Sequence, residues 1–301
     1  MTIKAASDGS LSGSNGSYTL SGGNVVTITN DYGARIGIKG LYEVVDGTTY
    51  TLKSDLLIEY SLADAQIGDF YCKTADGTTG YLIPGDASLT EAQKAACIGI
   101  VLKAGRDGNG SDWKDDCQYK LKNTETAMTD IHGYVLGLYD AKDERGNTVT
   151  PKWGSYGTYG TKVNHTDMNR EQNTGFYGYK NTNAIKAFAG ENGKTLQADF
   201  PATYYATQAY EGSYPAPANS SGWFLPSAGQ GKYWLNNRDV ILASVRKATG
   251  DFGYDWKYCY WSSSEGDGIP ENHAWIVFFN YGHVDQRSKL NTLYVRGVFA
   301  F

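Results

Sequence analysis

The chain has 301 residues, a formal net charge of −5 and 20% charged residues, with 37 glycines and 24 tyrosines against 7 prolines and 3 methionines. That length serves one large domain or two, and the acidic balance excludes the basic stripe of a nucleic-acid binder. No apolar run reaches the length of a membrane span, and the opening MTIKAASDGS lacks the apolar core of a signal peptide.

Residues 1–65 read as a small β-rich module. SDGSLSGSNGS is a flexible opening, and SYTL, NVVTITN, RIGIKGLYEV and TTYTLKSDLLIEYSL are about four strands separated by Gly, Asn and Asp turns. The stretch ADAQIGDFYC marks a junction, and residues 66–301 form a second domain. In it, Ser88 and Glu91 have capping-box spacing for a short helix. CIGIVLKAG (97–105) and IHGYVLGLYDA (131–141) are buried strands, and residues 142–175 form a long Gly/Tyr/Asn loop. NTNAIKAFAGENG and DFPATYYATQAY are predicted helices. Residues 227–250 carry the longest helical pattern, with Val240, Ile241, Ala243, Ser244 and Val245 as its apolar stripe and Gly250 as its stop. WKYCYWSSSE, HAWIVFFN, GHVDQRS and LYVRGVFAF then read as four closing strands of an antiparallel meander. The fold class is α+β.

Little of this carries chemistry. Cys72, Cys97, Cys117 and Cys259 show no CxxC spacing and are expected as buried free thiols, although an oxidising compartment would allow Cys97–Cys117. His132, His165, His273 and His283 have no metal-pair spacing. The glycine cluster at 153–160 does not open a helix as a phosphate loop does. Ser262–Ser264 have no neighbouring His or glycine elbow, and such hydroxyls satisfy backbone groups. Asp115, Asp116, Asp140, Asp143 and Glu144 lack EF-hand spacing and read as solvated surface acids. The tryptophans, with Tyr204 and Tyr205, read first as core and second as platforms for a carbohydrate. No metal or cofactor is expected.

GWFLPSAGQ (222–230), NNRDVILASV (236–245), YWSSSE (260–265), AW (274–275) and VRGVFAF (295–301) together resemble a C-type lectin-like fold. More narrowly, they resemble the variable proteins of diversity-generating retroelements, domains that follow fimbrillin-like β modules in Bacteroides-type organisms. The resemblance covers about residues 66–301. It implies a small C-terminal antiparallel sheet that displays a ligand-binding face. It also implies a fixed frame, here Trp261, Glu265, Ala274, Trp275, Val277, Phe279, Gly282, Val284, Lys289, Val295 and Arg296. The interleaved positions would be diversified: Gly266, Asp267, Ile269, His273, Ile276, Phe278, Asn280, Tyr281, His283, Asp285, Arg287, Ser288, Leu290, Asn291, Leu293 and Tyr294. Each is reachable from an AAY codon by changing its first two bases; Glu271 and Gln286 are not.

Read as a strand, Trp275, Val277 and Phe279 turn inward and Ile276 and Phe278 outward. Ile276, Phe278, Leu290 and Leu293 would then form an exposed apolar patch, and Phe278, Tyr281, Tyr294 and Arg287 would be its energetic anchors; the alternative is that this face packs against another element, such as the N-terminal module or the 142–175 loop. Arg296 is expected to pair with a core acid such as Glu265. The expected function is a non-enzymatic ligand-binding adhesin or receptor-binding protein. Its partner would be a protein or glycan on another cell surface, and it would sit on a pilus tip or, alternatively, a phage tail. An enzyme of the formylglycine-generating kind and a purely structural pilus subunit are the competing readings.

Overall fold

The computed structural model describes residues 61–107, 113–155, 175–267 and 269–301, together with the backbone of eight short strands between residues 3 and 59. Strands β1 (Ile3–Lys4), β2 (Ser10–Ser14), β3 (Ser17–Leu20) and β4 (Val25–Thr27) form an antiparallel sheet in chain order. β5 (Gly37–Ile38) pairs with β8 (Ile58–Glu59), and β6 (Tyr42–Val44) with β7 (Tyr50–Leu52). There are more strands than the four expected. Ser10–Ser14 lies in the stretch read as flexible; its Ser/Gly composition conceals a strand whose register is set by backbone pairing, Leu11 opposite Leu20. Most of the glycine cluster at 153–160, and residues 156–174 of the long loop with His165, lie outside the described residues.

A five-stranded antiparallel sheet follows, in the order β10-β9-β11-β12-β16, where β9 is Phe70–Lys73, β10 Gly80–Ile83, β11 Cys97–Ala104, β12 Gly133–Gly137 and β16 Val298–Ala300. Both of its faces are buried, and register shifts at Cys97/Gly99 and Val101/Lys103 change the phase of the alternation along β11. Ile98, Val101, Val135 and Phe299 enter one apolar cluster with Phe200 and Trp223. Ile100, Leu102, Tyr134, Leu136 and Val298 enter the other with Trp234, Ile241 and Val245. That is why CIGIVLKAG is apolar almost throughout. All four cysteines are buried free thiols, and Cys97 faces Cys72 across the β11–β9 ladder rather than Cys117.

The helices differ from expectation in phase. α1 (Glu91–Ala96) starts from a capping box at Thr90 and Gln93, two residues beyond the one anticipated. α2 (Gly178–Glu191), α3 (Leu196–Asp199), α4 (Pro201–Ala206) and α5 (Gln208–Ser213) fill the middle of the chain. The long pattern at 227–250 is two helices, α6 (Ala228–Asn236) and α7 (Arg238–Thr249). Asn237 breaks it: its side-chain amide donates to the Tyr233 carbonyl at 2.8 Å, competing with the helical backbone. The restart rotates the buried stripe to Ile241, Leu242, Ser244, Val245 and Ala248, leaving Val240 and Ala243 outside. Gly250 ends α7 in the left-handed conformation, φ 71°.

β13 (Cys259–Glu265), β14 (His273–Phe278) and β15 (His283–Ser288) form the expected meander, but the last strand leaves it. After a single bridge from Tyr294 to Tyr260, the chain crosses to the large sheet and pairs with β12. Arg296 holds the crossing. It is 1% exposed, and its Nε and one terminal nitrogen donate to Asp140 Oδ1 at 3.0 and 2.6 Å. Its guanidinium carbon lies 5.2–5.9 Å from the ring centres of Trp234, Tyr254, Trp256 and Tyr260. The partner is therefore Asp140, not Glu265. Nor is Asp140 a solvated acid; Asp115, also buried, binds the hydroxyls of Tyr119 and Tyr134.

Removing one partner from a buried pair leaves an uncompensated charge, which costs about 3–5 kcal/mol. Asp140→Ala is expected to lose stability on that scale in urea denaturation; a loss below about 1 kcal/mol would contradict this role.

Candidate binding face on the closing hairpin

The β14–β15 hairpin turns through Phe279–Gly282, with Gly282 at φ 70°, a left-handed position that favours glycine. One face of β14 packs on α6 so closely that a Cβ on Gly231 would come within 2.2 Å of Val277. Val277 and Phe279 enter the cluster with Trp234 and Trp256, and Trp275 packs with Ala228 and Val284. These three side chains are buried as the strand pattern implied.

The other face takes the packed alternative rather than the exposed one at Ile276 and Phe278. Ile276 is 0% exposed and belongs to the cluster that contains Trp153 and Trp261. The covering element is the segment around residues 149–155: the indole of Trp261 donates to the Pro151 carbonyl at 2.9 Å, and that of Trp153 to the Ser262 carbonyl at 2.8 Å. Phe278 is also buried, at 7% exposed, and Leu293 is half-buried against the core. The apolar patch of Ile276, Phe278, Leu290 and Leu293 therefore does not form; of the four, only Leu290 is exposed. Gly266 is buried too. A side chain there would meet Gln286 at 2.4 Å and the His273 Cβ at 2.9 Å.

The other named positions reach solvent. Asp267, Ile269, Asn280, Tyr281, His283 and Asn291 are exposed, and His273, Asp285, Arg287, Ser288 and Tyr294 are half-buried. Several converge over Phe278. Tyr281 stacks on it with centroids 4.5 Å apart and planes at 27°; His283 meets its edge at 5.5 Å, and the Arg287 guanidinium lies 5.4 Å from its centre. Tyr258, absent from the sequence-based set, completes the group at 4.6 Å. Its only signal was the aromatic alternation in YCYW. Tyr281 is 63% and Tyr258 47% exposed.

Asp285 ties the polar rim together. It accepts from Arg287 at 2.5 Å and from the Gln286 N–H at 2.7 Å, and His283 lies 3.9 Å away. Partial burial pushes its carboxyl up, but these three partners together hold it below the ordinary value. The hydrogen bond with Tyr281 pushes the Tyr258 phenol up to about 12. β15 is the free edge of its sheet, and charged side chains line it, as suits an exposed edge.

Beneath the hairpin lies a second buried ion pair. Lys289 Nζ and Glu265 Oε1 are 2.5 Å apart with both side chains fully enclosed, and the ammonium sits 4.2 Å from the Trp153 ring centre. The Lys289 carbonyl accepts from the Trp153 N–H at 3.0 Å. The three serines at 262–264 are buried in the same wall. Ser262 donates to the Trp275 carbonyl, Ser264 accepts from the Ala228 N–H, and Ser263 contacts Asn181. Among the described residues, no group of three or more His, Cys, Asp or Glu side chains could hold a metal ion, and no helix is long and apolar enough to cross a membrane.

Burial pushes the Glu265 carboxyl up to about 7 against the opposing pull of Lys289. The folded state therefore holds this proton more tightly than the unfolded chain, whose carboxyl titrates near the ordinary 4.5. Between these two values the unfolded chain gives up its proton first, so stability falls as pH rises. In urea denaturation at pH 4.5 and 7, the stability of the wild type relative to Glu265→Gln should fall as pH rises; a difference that stays constant or grows would contradict it.

No family model matches the chain. Its sequence is 26% identical over 219 residues to a Bacteroides ovatus protein named as a fimbrium tip subunit, Fim1C; the match covers 66% of this chain and 39% of that protein. The crystal structure of a fimbrial protein from Bacteroides ovatus ATCC 8483 shares the fold with a TM-score of 0.56 at 22% identity, over 79% of this chain and 49% of that one. The chain thus spans less than half the length of each of these two proteins.

Proposed function

We propose that the chain is a non-enzymatic, adhesin-type module of a fimbrial surface assembly, and that its ligand face is the free edge of the β13–β14–β15 sheet. The observation that carries this is the Tyr258–Phe278–Tyr281 cluster with Arg287 above it, mounted on a fully buried frame. Tyrosine and arginine are the residue types that dominate binding energy at interfaces. Strand pairing and the two ion pairs hold them in a fixed array, so little conformational freedom is lost on binding. The fimbrial relatives support a cell-surface setting and an assembly partner within a pilus.

The finer reading is a C-type lectin-like domain with a diversified face. The excursion between β12 and β16, which carries the smaller sheet while the chain's end returns to the large one, fits that fold. Burial also sorts the closing segment in the way diversification requires. Trp261, Glu265, Ala274, Trp275, Val277, Phe279, Lys289, Val295 and Arg296 are enclosed, while the residues around Tyr281, His283, Asp285 and Arg287 add little to the core. Ile276, Phe278 and Gly266 are exceptions that belong with the frame, while Gly282 and Val284, placed in the frame by the resemblance, are exposed and half-buried.

The test is binding of labelled protein to epithelial cells, mucin and other bacterial cells, for the wild type and for the triple variant Tyr258→Ser/Tyr281→Ser/Arg287→Ser. At least a tenfold weakening, about 1.4 kcal/mol, with an unchanged melting temperature is expected. Undiminished binding by the variant would overturn the assignment, as would loss of self-association alone, which would make the face a pilus-internal interface. Sequencing of the gene's 3′ end across a growing population tests diversification: substitutions should fall on the codons of the exposed positions and spare those of Trp275 and Ile276.

A further inference from the structure

A second concave site lies away from the hairpin. The turn after β12 and the helices α3–α5 enclose an open cleft of about 840 Å3, within the size range of small-ligand sites. Tyr204, Tyr205 and Tyr214 form its aromatic lining, Gln197 and Gln208 supply amides, and the Lys142–Gly146 turn closes one side. None of the sixteen hairpin positions contributes to it.

We propose that this cleft binds a neutral saccharide. A sugar ring offers weakly positive C–H groups on its faces and hydroxyls around its edge. The first suit the negative face of an aromatic ring; the second suit amides, phenols and carboxylates, which between them donate and accept. The cleft has both, and its rings are held in place. Tyr204 and Tyr205 meet edge to face at 5.2 Å. Tyr214 stacks on Tyr139 at 5.3 Å and rests on Tyr210 at 5.1 Å, and Tyr210 in turn packs on Trp223 at 4.7 Å. Tyr210 and Trp223 are buried, and the Trp223 indole donates to the Tyr214 carbonyl at 2.7 Å, so the platform is continuous with the core. Tyr204, Tyr205 and Tyr214 are each half-buried and still reach solvent.

Charge selects the class. The lining cations Lys142 and Arg145 are matched by Asp143 and Glu144. Lys142 rests 5.5 Å from the ring centre of Tyr139. The Asp143 carboxylate is occupied within its own turn by the N–H groups of Asn147 and Arg145 at 2.8 and 2.9 Å, which hold it below the ordinary carboxylate range. No net charge is left to select an acidic sugar, and a wholly apolar ligand would leave the amides unmatched.

The experiment uses the full chain and five neutral disaccharides: cellobiose, maltose, lactose, mannobiose and N,N′-diacetylchitobiose. Saturation-transfer NMR and calorimetry should find at least one that binds, with Kd below about 10 mM, a binding free energy of about −3 kcal/mol. Two variants should weaken it at least tenfold. Tyr205→Ala removes a platform. Gly212→Trp grows into the cleft from a position where an added Cβ meets nothing within 4 Å, so it blocks the site while leaving the fold intact. Tyr281→Ser on the hairpin should leave saccharide binding unchanged, which separates this site from the proposed adhesin face. Failure of all five sugars, retention of binding in both cleft variants, loss of binding in Tyr281→Ser, preference for a uronic acid disaccharide, or Tyr205-dependent binding of an unglycosylated peptide instead would each overturn the assignment.

Discussion

The buried pairing of Arg296 with Asp140 joins the two halves of the α+β core. Asp140 follows β12 in the large sheet, while Arg296 lies between the meander and β16. A buried guanidinium is tolerable only when its donors are matched, and here the carboxylate, the Gly137 carbonyl and four aromatic rings surround it. This contact fixes where the chain leaves the small sheet. The position of the meander relative to α6 and α7, and hence of the hairpin, follows from it.

Lys289–Glu265 has the same role nearer the surface, beneath the hairpin itself. Together the two pairs and the aromatic packing around Trp234 explain how a free sheet edge can present Tyr281, His283 and Arg287 without depending on them for its fold. Side chains on such an edge are separable from stability, which is the physical requirement that the proposed binding role sets. The tyrosine cleft between the 142–146 turn and α3–α5 uses a different solution, with Tyr214 anchored through Tyr210 and Trp223 to Phe299 of the large sheet.

Much of this frame was legible in the sequence because burial leaves local traces. CIGIVLKAG could only be a strand covered on both sides, and the alternation Trp275, Val277, Phe279 named an inward face. What was not legible depended on contacts distant in the chain. Period-2 alternation places Ile276 opposite Val277, but it does not say that the segment around Trp153, more than 100 positions away, covers that side. Arg296 demanded an acid, and Glu265 was near in sequence, yet Asp140, 156 positions away, is near in space. Asn237 broke a helix that composition alone would have continued, and Tyr258 sat just outside the strand that its ring extends. The cleft was visible only as two unrelated fragments, Asp143–Glu144 and Tyr204–Tyr205, until folding brought them together.

The most direct test of a rigid frame carrying a free binding edge is a saturation scan of residues 258–296 on displayed protein, sorted by protease resistance as a measure of folding. Broad tolerance is expected at Tyr258, Tyr281, His283, Asp285, Arg287 and Asn291. Intolerance is expected at Trp261, Ile276, Phe278, Lys289 and Arg296. Equal sensitivity across the two groups, or tolerance at Ile276 and Phe278 matching that at Tyr281, would contradict the separation of frame from face.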